Sequence, residues 1–301
     1  MTINAVVGRN ILEPEGPVCL PDDTVYVVEM AKERACVSLV DKKGTRTEIG
    51  RGGGRPNGLA IDGDGRLWIA GGENETLVCM SKSGKVLRRY TGPSIDPYLW
   101  PNDLAFGPNG LLYMTDSGIL PDDLIDGQKI RSDYRGCDYN GRVFEINPET
   151  GDILRILDTD IKFTNGIAFD SSSNLYVNET ISGNIYRYDN LAAKQPNRTI
   201  YGNVIANHDG SFKGPDGMAF GSDGKLYCAV FGQGDITVLD GSGAVSDRIK
   251  TNGMRPTNIA FRTHRHAAVV TDLGQCELEE LPMACKGLEL HAPHLNIDSS
   301  N

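Results

Sequence analysis

Six oxygen-bearing side chains recur at one position of a repeated phrase. The copies are Pro14-Glu15-Gly16-Pro17-Val18, Pro56-Asn57-Gly58-Leu59-Ala60, Pro101-Asn102-Asp103-Leu104-Ala105, Thr164-Asn165-Gly166-Ile167-Ala168, Pro215-Asp216-Gly217-Met218-Ala219 and Pro256-Thr257-Asn258-Ile259-Ala260. The second position is Glu15, Asn57, Asn102, Asn165, Asp216 and Thr257 in turn. Four acids follow at a fixed interval, Glu29, Asp116 and Glu179 after 14 residues and Asp272 after 15. If each phrase opens an antiparallel strand pair, the chain returns to the same end, and the two sets converge there as an inner and an outer ring. Carboxylates crowded in this way must be protonated, hydrogen-bonded or held by a cation. Neither ring contains His or Cys, so oxygen ligation favours a hard divalent ion, Ca²⁺ ahead of Mg²⁺ and Mn²⁺, with Zn²⁺ or Fe²⁺ left open.

The simpler roles divide the residues. Asn57 and Thr257 read as turn caps, and Glu29, Glu179 and Asp272 as loop holders that accept backbone amides. Glu15 differs, because a Glu between Pro14 and Gly16 has no turn-forming advantage over Asp or Asn. Its longer reach reads as ligation.

The elements that must position these side chains are strands. The six polar positions lie 42, 45, 63, 51 and 41 residues apart, the size of a four-stranded propeller blade. Runs rich in β-branched and aromatic residues alternate with turns such as Asp62-Gly63-Asp64-Gly65 and Pro108-Asn109-Gly110. In the first unit the strands are expected at 16–20, 25–30, 36–41 and 45–50, and in the fifth at 217–220, 226–231, 236–240 and 245–250. The fold class is therefore all-β, a six-bladed β-propeller of four-stranded antiparallel blades, forming one domain over 1–301. The Ala at 60, 105, 168, 219 and 260 suits the crowding of inner strands around an axis. The long third unit carries an insertion at about 117–141, a candidate lid or specificity loop. Either 3–7 or 287–291 could supply the last outer strand.

Composition narrows the function. The chain has 301 residues, 39% hydrophobic, with a net charge of −10, which argues against a nucleic-acid surface. Residues 1–16 lack a signal-like apolar run and nothing approaches the length of a membrane span, so no membrane role and a cytoplasmic location are expected. Seven cysteines without a CxxC pair indicate neither a zinc site nor a complete disulfide set. Serine hydrolysis fits poorly, because there is no G-x-S-x-G elbow and the five histidines fall outside both rings. Of these, His208 is the one placed to reach the mouth.

At the phrases themselves the sequence resembles the regucalcin (senescence marker protein) and gluconolactonase family of six-bladed propeller lactonases. The likeness runs from Glu15-Gly16-Pro17 to the sixth unit. It implies one divalent cation held by Glu15, Asn165 and Asp216, and a substrate-binding pair at Asn102 and Asp103. The sequence departs from the family where mammalian members have an Arg two residues before that Asn, because Trp100 stands here, in Tyr98-Leu99-Trp100-Pro101. That loss puts a polyhydroxy lactone in doubt, and Tyr98 and Trp100 become candidates to stack on a sugar ring or admit a less polar lactone. The reaction implied is opening of a small-molecule lactone to its hydroxy acid. Asp216 is expected to act as general base, with Asp103 or Asp116 as alternatives, and Asn102 to orient the substrate and stabilise the oxyanion. Asp116 is included among the substrate contacts. A non-hydrolytic metal enzyme, such as an isomerase or a strictosidine-synthase-like propeller, and a calcium-binding interaction propeller stay open. So does the choice between monomer and homo-oligomer.

Overall fold

The computed structural model describes residues 4–127, 129–207 and 209–297. Six four-stranded antiparallel sheets stand around a common axis. Their innermost strands are Pro14–Cys19, Leu59–Ile61, Pro101–Phe106, Thr164–Phe169, Gly214–Phe220 and Pro256–Phe261, and those of successive blades touch all the way round. In the first blade, Pro14–Cys19, Val25–Glu29, Cys36–Val40 and Arg46–Gly50 pair in chain order. The last three strands fall within one residue of the bounds expected from the alternation of apolar runs and turns, and the first begins two residues earlier than expected.

Two details differ from the sequence reading. In five blades the phrase is not a turn before the inner strand but lies inside it. The pairing register shifts there, between Glu15 and Val18, Pro101 and Leu104, Thr164 and Ile167, Pro215 and Met218, and Pro256 and Asn258. A bulge bends its strand and re-aims side chains out of the pleat. Each second-position residue is therefore displaced from the sheet faces toward the axis. The second blade lacks this device, because its strand begins only at Leu59.

The other detail is how the ring closes. Ala5–Arg9 pairs with Glu277–Pro282 as the outer strand of blade six, so the N-terminal candidate closes the sheet. Residue 3 of the expected segment lies outside the described residues. The C-terminal candidate has another place. Residues 283–297 run as a strap beneath the blades, at the end opposite the phrases. Leu288 N–H donates to Phe220 O at 2.9 Å and Gly63 N–H to Pro293 O at 2.9 Å. Between these points His291 packs edge-on to Phe169, and farther on His294 and Leu295 bind Asp64. The strap thus crosses from blade five to blade two and ends with Ile297 in the core beside Trp68 and Leu104.

Apolar clusters fill the spaces between neighbouring blades. Glycine at the third phrase position has a packing role as well as a turn role. A Cβ on Gly58 would lie 2.6 Å from Asp103 Cα, and one on Gly166 would lie 2.3 Å from Asp216 O. The next blade's inner strand needs that space. The insertion folds onto the phrase end through the short helix Pro121–Leu124 and a hairpin of Ile125–Asp126 with Lys129–Ile130.

Candidate functional site

The six bulged or adjoining phrases bring Glu15, Asn57, Asn102, Asn165, Asp216 and Thr257 to the floor of one funnel, a space of about 610 Å³ counted to its open mouth. Glu15 is buried, accepts Asn258 Nδ2 at 2.8 Å and takes the Gly16 amide. Asp216 keeps part of its surface open toward the funnel, and the Asn165 and Glu15 side chains beside it act to lower its pKa. Its own carbonyl is fixed by Asn178 Nδ2 at 2.5 Å. Asn102 Nδ2 donates to Ser117 Oγ at 2.9 Å, and that hydroxyl donates to Thr164 O at 2.9 Å, so blade four steadies the carboxamide of blade three.

The electrostatics of this floor are unbalanced. Burial, then repulsion from Asp216 and Asp103, pushes Glu15 well above the usual carboxylate range. Burial likewise raises Asp216, with Asp103 adding to the shift. Asp103 is pushed up to about 7 by burial, with only the amides of Leu104 and Ile167 opposing it. No arginine or lysine compensates these three groups in those sets of contacts. A divalent cation suits the mismatch, and Glu15, Asn165 and Asp216 are the oxygen donors that could hold it. Among the described residues, no three His, Cys, Asp or Glu side chains gather as a metal-binding group. A cation on the floor would therefore need carboxamide oxygen as well as carboxylate.

The outer acids behave differently. Glu29 accepts Leu12 N–H, Asp116 accepts Leu99 N–H, and Glu179 accepts Lys162 N–H, each at 2.8 Å, while Asp272 accepts Arg255 N–H at 3.2 Å. In every case the amide lies 17 residues upstream, so four blades use one clamp to hold the loop that leads into the phrase. For Glu29, Glu179 and Asp272 this is the loop-holding role expected from sequence. For Asp116 it is a correction. That carboxylate also takes the amides of Trp100 and Gly118 and pairs with the buried Arg142 at 2.9 Å, so it faces away from the funnel with its oxygens occupied. In blade two the corresponding residue is Gly71, where φ is +85° and a Cβ would lie 2.2 Å from Arg55 O.

Matching family descriptions cover residues 94–272, as the SMP-30/Gluconolactonase/LRE-like region. The chain belongs to this family. Among its relatives, a gluconolactonase of Zymomonas mobilis is 28% identical over 62% of this chain and 52% of its own length. The lactonase drp35 of Staphylococcus aureus is 29% identical over 69% of this chain and 60% of its own length. The chain thus spans between half and two thirds of those relatives. A regucalcin from Agrobacterium tumefaciens, described as a calcium-binding protein, superposes with a TM-score of 0.73 at 18% identity, over 97% of this chain and 98% of its own. That likeness concerns the fold.

Within this gluconolactonase-like frame the two aromatic candidates part company. Trp100 lines the funnel, edge-on to Phe163 with ring centroids 5.3 Å apart and with the Arg55 guanidinium 5.7 Å from its own. Tyr98 does not reach it. Its ring packs edge-on to Phe144 at 4.9 Å in the core between blades two and three. His208 lies outside the described residues.

Sequence reasoning also missed Asn258 and Asn178. Asn258 and Asp103 replace the third-position glycine in blades six and three and reach into the next blade, toward Glu15 and the Ile167 amide. The broken glycine pattern was the available signal. Thr257, expected as a turn cap, instead ties blade six to blade one, its hydroxyl bonding Pro14 O at 2.8 Å and Thr271 Oγ1 at 2.7 Å.

Proposed function

We propose that the protein is a divalent-metal-dependent lactonase, opening a small cyclic ester to its hydroxy acid, with the ring and insertion acting as one unit. The observation that carries this is the buried, uncompensated carboxylate and carboxamide floor at the base of a single funnel. The lactonase relatives support the same reading. Glu15, Asn165 and Asp216 would hold the cation, Ca²⁺ first among candidates. When bound, that cation supplies electrophilic polarisation of the ester carbonyl and positive charge to offset the acids.

The chain's own groups provide the remaining steps. Asp216, open to the funnel, accepts a proton from water as its oxygen attacks the carbonyl carbon. The Asn102 carboxamide, fixed by Ser117, has a second N–H free to donate to the oxyanion. Collapse breaks the ring C–O bond, and the departing alkoxide regains the proton from Asp216. Asp103 sits behind this pair and tunes Asp216 through its charge. Asp116 takes no part.

The test is acid release from a panel of γ- and δ-lactones with Ca²⁺, Mg²⁺, Mn²⁺ or Zn²⁺, expected to vanish in chelator. Tight Ca²⁺ binding with no turnover of any lactone would favour an interaction propeller. Glu15→Gln is expected to weaken cation binding by calorimetry about tenfold or more, and unchanged affinity would remove Glu15 from the ligand set.

A further inference from the structure

The floor and the roof of the funnel differ in chemistry. Oxygen and amide groups line the floor, whereas Leu124, Ile125 and Ile130 of the insertion face the mouth with Phe163, Phe212 and Phe231. This roof is packed in place. Tyr134 lies edge-on to Phe212 at 5.0 Å and donates its hydroxyl to Ser211 O at 3.3 Å, while Leu124 is 1% exposed. The insertion from blade three is thereby joined to the loop leading into blade five. Arg55 is the cationic side chain in the described lining. It lies against the Trp100 face and 3.2 Å from Glu13, and its Nε and Trp100 Nε1 are the buried donors there without a partner among the described residues.

A polyhydroxylated lactone would bring several hydroxyl groups under this roof. Each one that loses water without finding a partner lowers affinity by about five- to 150-fold. An alkyl or aryl group gains instead, by up to about fourfold for each methylene fully buried. We infer, on the basis of the lactonase reading above, that the site selects cyclic esters whose ring bears an apolar substituent. The ester lies on the oxygen-rich floor, and the substituent lies beneath Leu124, Ile130 and Phe212.

The test compares glucono-δ-lactone, unsubstituted δ-valerolactone and δ-lactones with alkyl chains of increasing length on the metal-loaded full chain. We expect kcat/KM to rise with chain length and glucono-δ-lactone to fall about tenfold or more below the alkyl compounds. Glucono-δ-lactone turned over as well as the alkyl lactones would overturn the inference. Ile130→Asn is expected to flatten the dependence on chain length, and an unchanged slope would remove the substituent from beneath the roof. If none of the compounds is opened, the lactonase reading fails, and quenching of tryptophan fluorescence still decides the selectivity. Tighter binding of the alkyl rings than of glucono-δ-lactone supports the apolar roof, and equal or weaker binding defeats it.

Discussion

Two sets of buried acids at the same end of the ring have opposite surroundings. Each outer acid meets a backbone amide 17 residues upstream, and Glu29 and Asp116 also meet arginines, Arg34 and Arg46 for the first and Arg142 for the second. The inner acids Glu15 and Asp216 meet carboxamides, amides and each other. Burial alone therefore does not assign a carboxylate its role. The donors facing it decide whether its charge is settled within the fold or left for a ligand to balance.

The sharpest way to test this contrast is to remove one member of each set. Asp216→Ala is expected to lower lactone turnover by about 10³-fold, within the range for loss of a general base, while circular dichroism and Tm show a folded propeller. Turnover equal to the parent's would remove the inner set from the chemistry. Asp116→Asn should show the reverse pattern, because the buried Arg142 loses its buried carboxylate and keeps only the exposed Asp96 and the carbonyls of Asp96 and Pro97. A stability loss of about 1–3 kcal/mol is expected in denaturant unfolding, with near-parental activity per folded molecule at low temperature. A large activity loss at unchanged stability would erase the distinction between the rings.

A smaller effect concerns pH. Glu15, Asp103 and Asp216 are all raised in the folded state. Stabilisation from their protonated forms is fully present below the unfolded values near pH 4. It is lost as pH rises through the folded values, which for Asp103 means about 7. Cation-free protein should therefore lose Tm between pH 5 and pH 8, Asp103→Asn should shallow that decline, and saturating Ca²⁺ should oppose it. Scanning fluorimetry across that range would reveal a flat profile if the floor were already balanced.

Much of the ring was legible because its units repeat. The phrase, the interval to the acid and the apolar runs fixed six blades and the strand positions, and they marked out both sets of oxygens. Interblade contacts were less legible, since they join residues far apart in sequence. Nothing local told that Asn258 would reach Glu15, or that Tyr98 would turn into the core between blades while Trp100 faced the funnel. The bulges were hidden for another reason. Pro, Asn, Asp and Gly signal a turn in isolation, and only pairing with the second strand shows that they interrupt a strand instead. The strap was hidden because an irregular segment containing Pro293, His291 and His294 carries no period of two or 3.6.

That strap gives biosynthesis a fixed order. Blade six needs Ala5–Arg9, and the underside of blades two to five needs residues up to 297, made some 290 residues later. A nascent chain on the ribosome can assemble individual sheets as they emerge, but it cannot lock the ring until nearly all of this sequence has left the exit tunnel. Until then the apolar space that Ile297 fills beside Trp68 stays open, and the growing chain must be kept from partners that would occupy it first.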